Sequence, residues 1–122
     1  MYFISCHDLI TQLNKAHFEN KLETRIKHFS KYELLIIDEI GYLPVDKQGA
    51  NLLFQLIAKR YEKKSTIITT NMTFSKWGEV FSDNTLANAI LDRLLHHSHV
   101  INITGNSYRI KDKIEQLETN KK

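Results

Sequence analysis

Eight residues, Leu34 to Gly41, read L-L-I-I-D-E-I-G and constrain this chain more than any other stretch. Four consecutive apolar residues without polar alternation suit a strand covered on both faces, as the inner strands of parallel sheets are. Two carboxylates then arrive together, and burying them in mid-strand would be costly or would force protonation. They are therefore expected at the carboxyl end of the strand, the rim where open α/β sheets collect their ligands.

An apolar strand ending in Asp-Glu meets the requirements of a Walker B segment. Asp38 would hold Mg²⁺ through the metal's water shell, and Glu39 would polarise the water that attacks a γ-phosphate. The same ending also occurs in other doubly wound folds, where the acid caps the next helix or meets a lysine. The surrounding chain has to decide between these readings.

Around this strand the pattern alternates. Met1 to Cys6 reads as a short apolar strand, and Ser5 with Asp8 three residues later opens a helix through about Asn20, with Leu9, Leu13 and Ala16 or His17 on its apolar stripe. A shorter helical segment, Lys21 to Phe29, leads into the central strand; strand, helix, strand implies a right-handed parallel crossover. Gly41-Tyr42-Leu43-Pro44 breaks the pattern, and Asp46 stands where an N-cap belongs. From Lys47 to Lys64 the apolar positions Ala50, Leu53, Phe54, Ile57, Ala58 and Tyr61 follow one helical face, with the basic run Lys59 to Lys64 on its last turns.

Ser65 to Thr70 reads as a further strand ending in Asn71, so a polar residue again lands at a carboxyl end. A short helix containing Trp77 is expected within Thr73 to Phe81, and Ser82 or Asp83 is placed to cap a helix through His97 whose apolar arc is Leu86, Ala87, Ile90, Leu91 and Leu94. A strand His99 to Ile103, a Gly105-Asn106 turn and a strand Ser107 to Ile110 form an expected hairpin, and Lys111 to Lys122 reads as a charged tail.

At 122 residues, 42% apolar and 25% charged, the chain supports one domain with a modest core. No stretch is long and apolar enough for a membrane span, so no membrane partner and a cytoplasmic location are expected. Cys6 stands alone, which excludes an intrachain disulfide, and His96, His97 and His99 lack the cysteines or spaced carboxylate of a zinc set. A net charge of +3 leans towards polyanionic partners, although Lys59, Arg60, Lys63 and Lys64 also suit a solvated face.

Four candidates are thus expected on one rim, namely Asp38, Glu39, Asn71 and, near the end of the next helix, Arg93. Asn71 could hold the attacking water between itself and Glu39, and Arg93 could reach a neighbouring subunit's γ-phosphate as an arginine finger. Each also has a plain structural alternative, a turn residue for Asn71 and a surface ion pair for Arg93.

With these residues in place, the chain resembles the IstB-like helper ATPases of bacterial insertion sequences, close relatives of the DnaC-type replicative helicase loaders in the AAA+ class. The resemblance runs from about Met1 to Lys111 and rests on LLIIDEIGYLP, QGANLLFQLIAKRYE, STIITTN, WGEVF, ILDRLLHH and GNSYR. It implies a three-layer αβα P-loop NTPase (AAA+) core with a parallel sheet, in one partial domain spanning 1–122, with the core in 1–110 and the tail in 111–122. By position, Asp38 and Glu39 resemble the Walker B pair, Asn71 the sensor-one residue, Arg93 the arginine finger and Arg109 a sensor-two-like arginine. ATP and Mg²⁺ are the implied cofactors. Double-stranded DNA, a transposase (or, in the loader branch, a replicative helicase) and other copies of the chain are the implied partners.

One departure stands against these matches. The family's P-loop, G-x-x-x-x-G-K-S/T, is absent, since none of Gly41, Gly49, Gly78 and Gly105 begins that pattern. The resemblance therefore implies a C-terminal portion of the ATPase lacking the P-loop strand, or a non-catalytic remnant. By itself such a chain is expected to bind Mg-ATP no tighter than millimolar.

Overall fold

A computed structural model describes residues 1–96. Three parallel strands, β1 (Tyr2–Ser5), β2 (Leu34–Ile40) and β3 (Ser65–Thr70), form a sheet in the order β1-β2-β3. Helices α1 (Cys6–Phe18) and α2 (Leu22–Ser30) connect β1 to β2, and α3 (Lys47–Arg60) connects β2 to β3. A 3-10 turn at Phe74–Lys76, a short helix α4 (Trp77–Val80) and α5 (Asn84–Leu95) follow. The expected hairpin, the charged tail, His97, His99 and Arg109 lie outside the described residues.

Local chemistry sets the helix starts. Ser5 accepts from the Asp8 N–H at 3.1 Å, Asp46 from the Gly49 N–H at 2.8 Å and Asp83 from the Leu86 N–H at 2.9 Å, so each satisfies a donor the first turn leaves unpaired. The Asp83 cap holds its carboxyl below the usual range, chiefly through the Leu86 N–H and further through Lys47 at 3.4 Å. Helix α3 stops at Arg60, earlier than the apolar and basic pattern suggested, because Tyr61 is extended and Glu62 turns to φ +61°.

Because the strand order repeats the chain order, both crossovers put their helices on one side of the sheet, and α1 and α2 pack against α3 there. That side carries Ile4, Leu35 and Ile37, closed by Leu9, Leu13, Phe29, Leu53 and Leu56. Helix α3 is buried beyond its expected stripe, at Leu52, Leu56 and Arg60, since α5 covers a second side of it. Gly49 allows the close approach of α1 to α3, as a Cβ there would lie 2.8 Å from Ile10 Cγ2 on α1. Cys6 is buried in this core, which pushes its thiol up to about 12.

The opposite side of the sheet bears a row aligned by register, Phe3, Ile36 and Ile67. Phe3 is 59% and Ile67 47% exposed, so among the described residues this apolar row is left largely open. Trp77, Val80 and Phe81 from the WGEVF segment are core residues, with the Trp77 and Phe81 rings edge to face at 5.5 Å.

Candidate functional site

Strand β2 delivers its carboxylates to the carboxyl edge of the sheet. Asp38 continues the Leu34–Ile36 side, half-buried, while Glu39 is exposed. The regular ladder to β3 breaks here, with a register shift between Ile37 and Ile40. Glu39 takes up the extra residue with φ +65°, a left-handed conformation unusual for a residue with a Cβ, and Gly41 follows at φ +99°. A backbone held in this way costs on the order of 1–3 kcal/mol and persists only where its surroundings over-determine it.

Two adjacent threonines on β3 do so. The Thr69 hydroxyl donates to Asp38 Oδ1 and accepts from the Glu39 N–H at 3.0 Å. The Thr70 hydroxyl donates to the Ile40 carbonyl at 2.6 Å and accepts from the Met72 N–H at 3.2 Å. Side-chain hydroxyls thus replace ladder bonds lost at the shift. The sequence reading missed both threonines. The only signal was a β-branched run, and the register that sets Thr69 against Asp38 and Glu39 is a tertiary fact.

Asn71 is exposed immediately beyond β3 and lies against Gly41, where a Cβ would come within 2.9 Å of its Oδ1 and 2.5 Å of Met72 Cγ. Asp38, Glu39 and Asn71 therefore share one edge. Arg93 does not, contrary to the expectation of a single rim. Its guanidinium lies 5.1 Å from the centre of the Tyr61 ring, and its Nη1 is 3.5 Å from Asp92. Tyr61 follows α3 and precedes β3, so it sits at the amino ends of the strands, about the length of α3, roughly 21 Å, from the carboxylate edge. The Tyr61 ring also stacks on His96, whose Nδ1 bonds the Tyr61 hydroxyl. Arg109 lies outside the described residues.

Arg60, read from sequence as part of a solvated basic run, is instead 2% exposed. Its guanidinium donates to the carbonyls of Phe29 (2.8 Å), Tyr32 (2.8 Å) and Ser65 (2.6 Å) and to the Thr66 hydroxyl (3.0 Å), tying the amino ends of β2 and β3 to α2. Burial lowers its pKa, and Glu33 offsets part of that. Lys64 meets Glu33 at 2.7 Å, and that hydrogen bond lowers the Glu33 pKa.

A site of one half-buried and one exposed carboxylate suits a hard cation shared with phosphate oxygens, as Mg²⁺ usually is. No cluster of three or more His, Cys, Asp or Glu side chains able to cage an ion occurs among the described residues. The donor set at Asp38 and Glu39 thus fits a metal that arrives with a nucleotide. No helix among the described residues is long and apolar enough to cross a membrane.

Comparison with known proteins agrees in its family and fold. The family model described as IstB-like ATP binding protein matches residues 1–116. The insertion sequence IS232 ATP-binding protein of Bacillus thuringiensis subsp. berliner is 65% identical over 111 residues, covering 91% of this chain and 44% of that protein. The insertion sequence IS5376 ATP-binding protein of Geobacillus stearothermophilus is 51% identical over 120 residues, covering 98% of this chain and 48% of that protein. The chain thus spans less than half the length of these relatives. Among solved structures, the DnaC helicase loader superposes with a TM-score of 0.60 at 26% identity, over 75% of this chain and 56% of that one. AMPPCP-bound DnaA from Aquifex aeolicus gives 0.65 at 16% identity, over 96% and 35%, a likeness of fold alone.

Proposed function

The chain belongs to the IstB-like ATP-binding proteins, and from that premise we propose that it is the C-terminal, carboxylate-bearing part of an AAA+ ATPase. In the whole protein, ATP binding and hydrolysis would drive assembly on double-stranded DNA and delivery of a transposase during insertion-sequence transposition. The observation that carries this reading is the edge shared by Asp38, Glu39 and Asn71 at the carboxyl ends of two adjacent parallel strands. Mg²⁺ with ATP would supply charge neutralisation on the transferring phosphoryl group. Asp38 would hold the metal's water shell, Glu39 would accept the proton of the attacking water, and the Asn71 amide would orient that water from the neighbouring strand. Arg93, remote from its own carboxylates, would act on the nucleotide of a neighbouring copy, and Arg109 would contact nucleotide on its own.

A second reading, a loader acting on a replicative helicase, draws on the 26% identity to the DnaC helicase loader. The 65% and 51% identities to insertion-sequence proteins favour transposition. Co-purification with an insertion-sequence transposase, against a replicative helicase, separates the two.

The central test is Glu39→Gln in the protein with the P-loop-bearing segment in place. Nucleotide binding should persist within a few-fold while hydrolysis falls by about two or more orders of magnitude. Equal hydrolysis by wild type and variant at saturating ATP would refute the role of Glu39, and no hydrolysis by either would favour the non-catalytic alternative.

A further inference from the structure

We infer that Thr69 is the positioning residue of the carboxylate pair, the group that holds Asp38 and Glu39 in their working arrangement before any nucleotide arrives. This rests on the reading of Asp38 and Glu39 above. A single hydroxyl oxygen makes both contacts, donating its proton to Asp38 Oδ1 and accepting the Glu39 N–H at 3.0 Å. Its one proton goes to the carboxylate and its lone pair to the amide, so neither bond can be replaced by the other. The bond to Asp38 engages Oδ1, so Oδ2 would be the oxygen that faces a metal's water shell. The bond to the Glu39 amide holds the residue at φ +65°, and with it the direction in which the Glu39 side chain leaves the strand. Both acids are thus aimed by a residue on β3, the strand just before Asn71, so the water-orienting amide and the two carboxylates share one support.

The neighbouring threonine provides the internal contrast. Thr70 makes the same pair of bonds one residue on, but to the Ile40 carbonyl and the Met72 amide, both backbone groups. Its hydroxyl shapes the strand end and touches no carboxylate. Loss of Thr70's hydroxyl is therefore expected to lower stability without changing the metal response, and loss of Thr69's to change both.

The test compares Thr69→Val, which keeps the shape and removes the hydroxyl, with Thr69→Ser, which keeps the hydroxyl, and with Thr70→Val. Two readouts are needed. The first is hydrogen exchange of the Glu39 amide in the 122-residue chain without nucleotide. The second is the Mg²⁺ concentration giving half-maximal hydrolysis, together with nucleotide affinity, in the protein with the P-loop-bearing segment. In Thr69→Val the Glu39 amide should exchange about tenfold or more faster and the Mg²⁺ half-saturation should rise about tenfold, as expected for loss of a hydrogen bond to a charged group. Nucleotide affinity should stay within about twofold, Thr69→Ser should restore both values, and Thr70→Val should leave the Mg²⁺ response unchanged. If Thr69→Val speeds exchange but leaves Mg²⁺ half-saturation at the wild-type value, the hydroxyl is only structural and the inference is overturned. It is equally overturned if Thr69→Ser behaves like Thr69→Val. Failure of the underlying reading looks different: Glu39→Gln would then hydrolyse as wild type does, whatever Thr69 substitutions do to the amide.

Discussion

Replacing Arg60 with Met keeps the apolar stem and the volume of the side chain but removes a guanidinium that makes four hydrogen bonds. Three of its acceptors are backbone carbonyls, so the variant leaves the carbonyls of Phe29, Tyr32 and Ser65 without this donor. Only the bond to Phe29 is fully buried, while those to Tyr32 and Ser65 are part-buried and within reach of water. An orphaned buried acceptor costs about 1–3 kcal/mol, and breaking a buried charged network about 3–5 kcal/mol. Partial access of water to two carbonyls places Arg60→Met near the lower end, at about 3 kcal/mol. Against a total of about 5–15 kcal/mol for an ordinary domain, that is a large fraction. The assay is urea unfolding followed by the fluorescence of Trp77, which is 1% exposed and should change on unfolding. With a urea slope of about 1.5 kcal/mol per M, the midpoint should fall by about 2 M. Arg60→Lys keeps the charge but not the fork, and should cost roughly half as much. A loss under about 1 kcal/mol for Arg60→Met would refute the claim that this guanidinium staples α2 to the strand ends.

Gly41→Ala forces a Cβ onto a positive φ and into Met72 and Asn71, so it should cost about 2–4 kcal/mol and shift the Asn71 and Met72 amide resonances; unchanged resonances and midpoint would count against the contact. The lowered Asp83 carboxyl stabilises the fold above its unfolded value near 3.8 and loses that contribution as pH falls through the lower folded value. Wild type should therefore lose more stability than Asp83→Asn, which keeps a cap without a titrating group, when unfolding midpoints are compared between about pH 5 and about pH 3; parallel losses would contradict this. For Arg93, in the protein with the P-loop-bearing segment, mixing Arg93→Ala with Glu39→Gln should restore hydrolysis above the sum of the two, since mixed assemblies pair an intact arginine with an intact glutamate. A mixing curve that never exceeds that sum would remove the assignment in trans.

The sequence by itself determined the elements and their order. Apolar period, the caps Ser5, Asp46 and Asp83, and the break at Gly41-Tyr42-Leu43-Pro44 are local signals, and the elements within residues 1–96 start where they point, although α3 ends at Arg60, short of its pattern. The placement of Asp38 and Glu39 near a strand end was legible because burying a charged pair in mid-strand is costly, and that of Asn71 because the β-branched run before it stops there. What tertiary structure alone decided is which residues meet across elements. Arg60 has the composition of a surface residue, and only the joining of α2, β2 and β3 around it supplies the carbonyls that make its burial tolerable. The pairing of Thr69 with Asp38 and Glu39 depends on a register shift that no pattern within β2 or β3 records. The separation of Arg93 from the carboxylates follows from the direction of α3 and the packing of α5 along it. Local patterns encode what each segment prefers alone; contacts between segments distant in sequence arise only when the core closes and fixes their register.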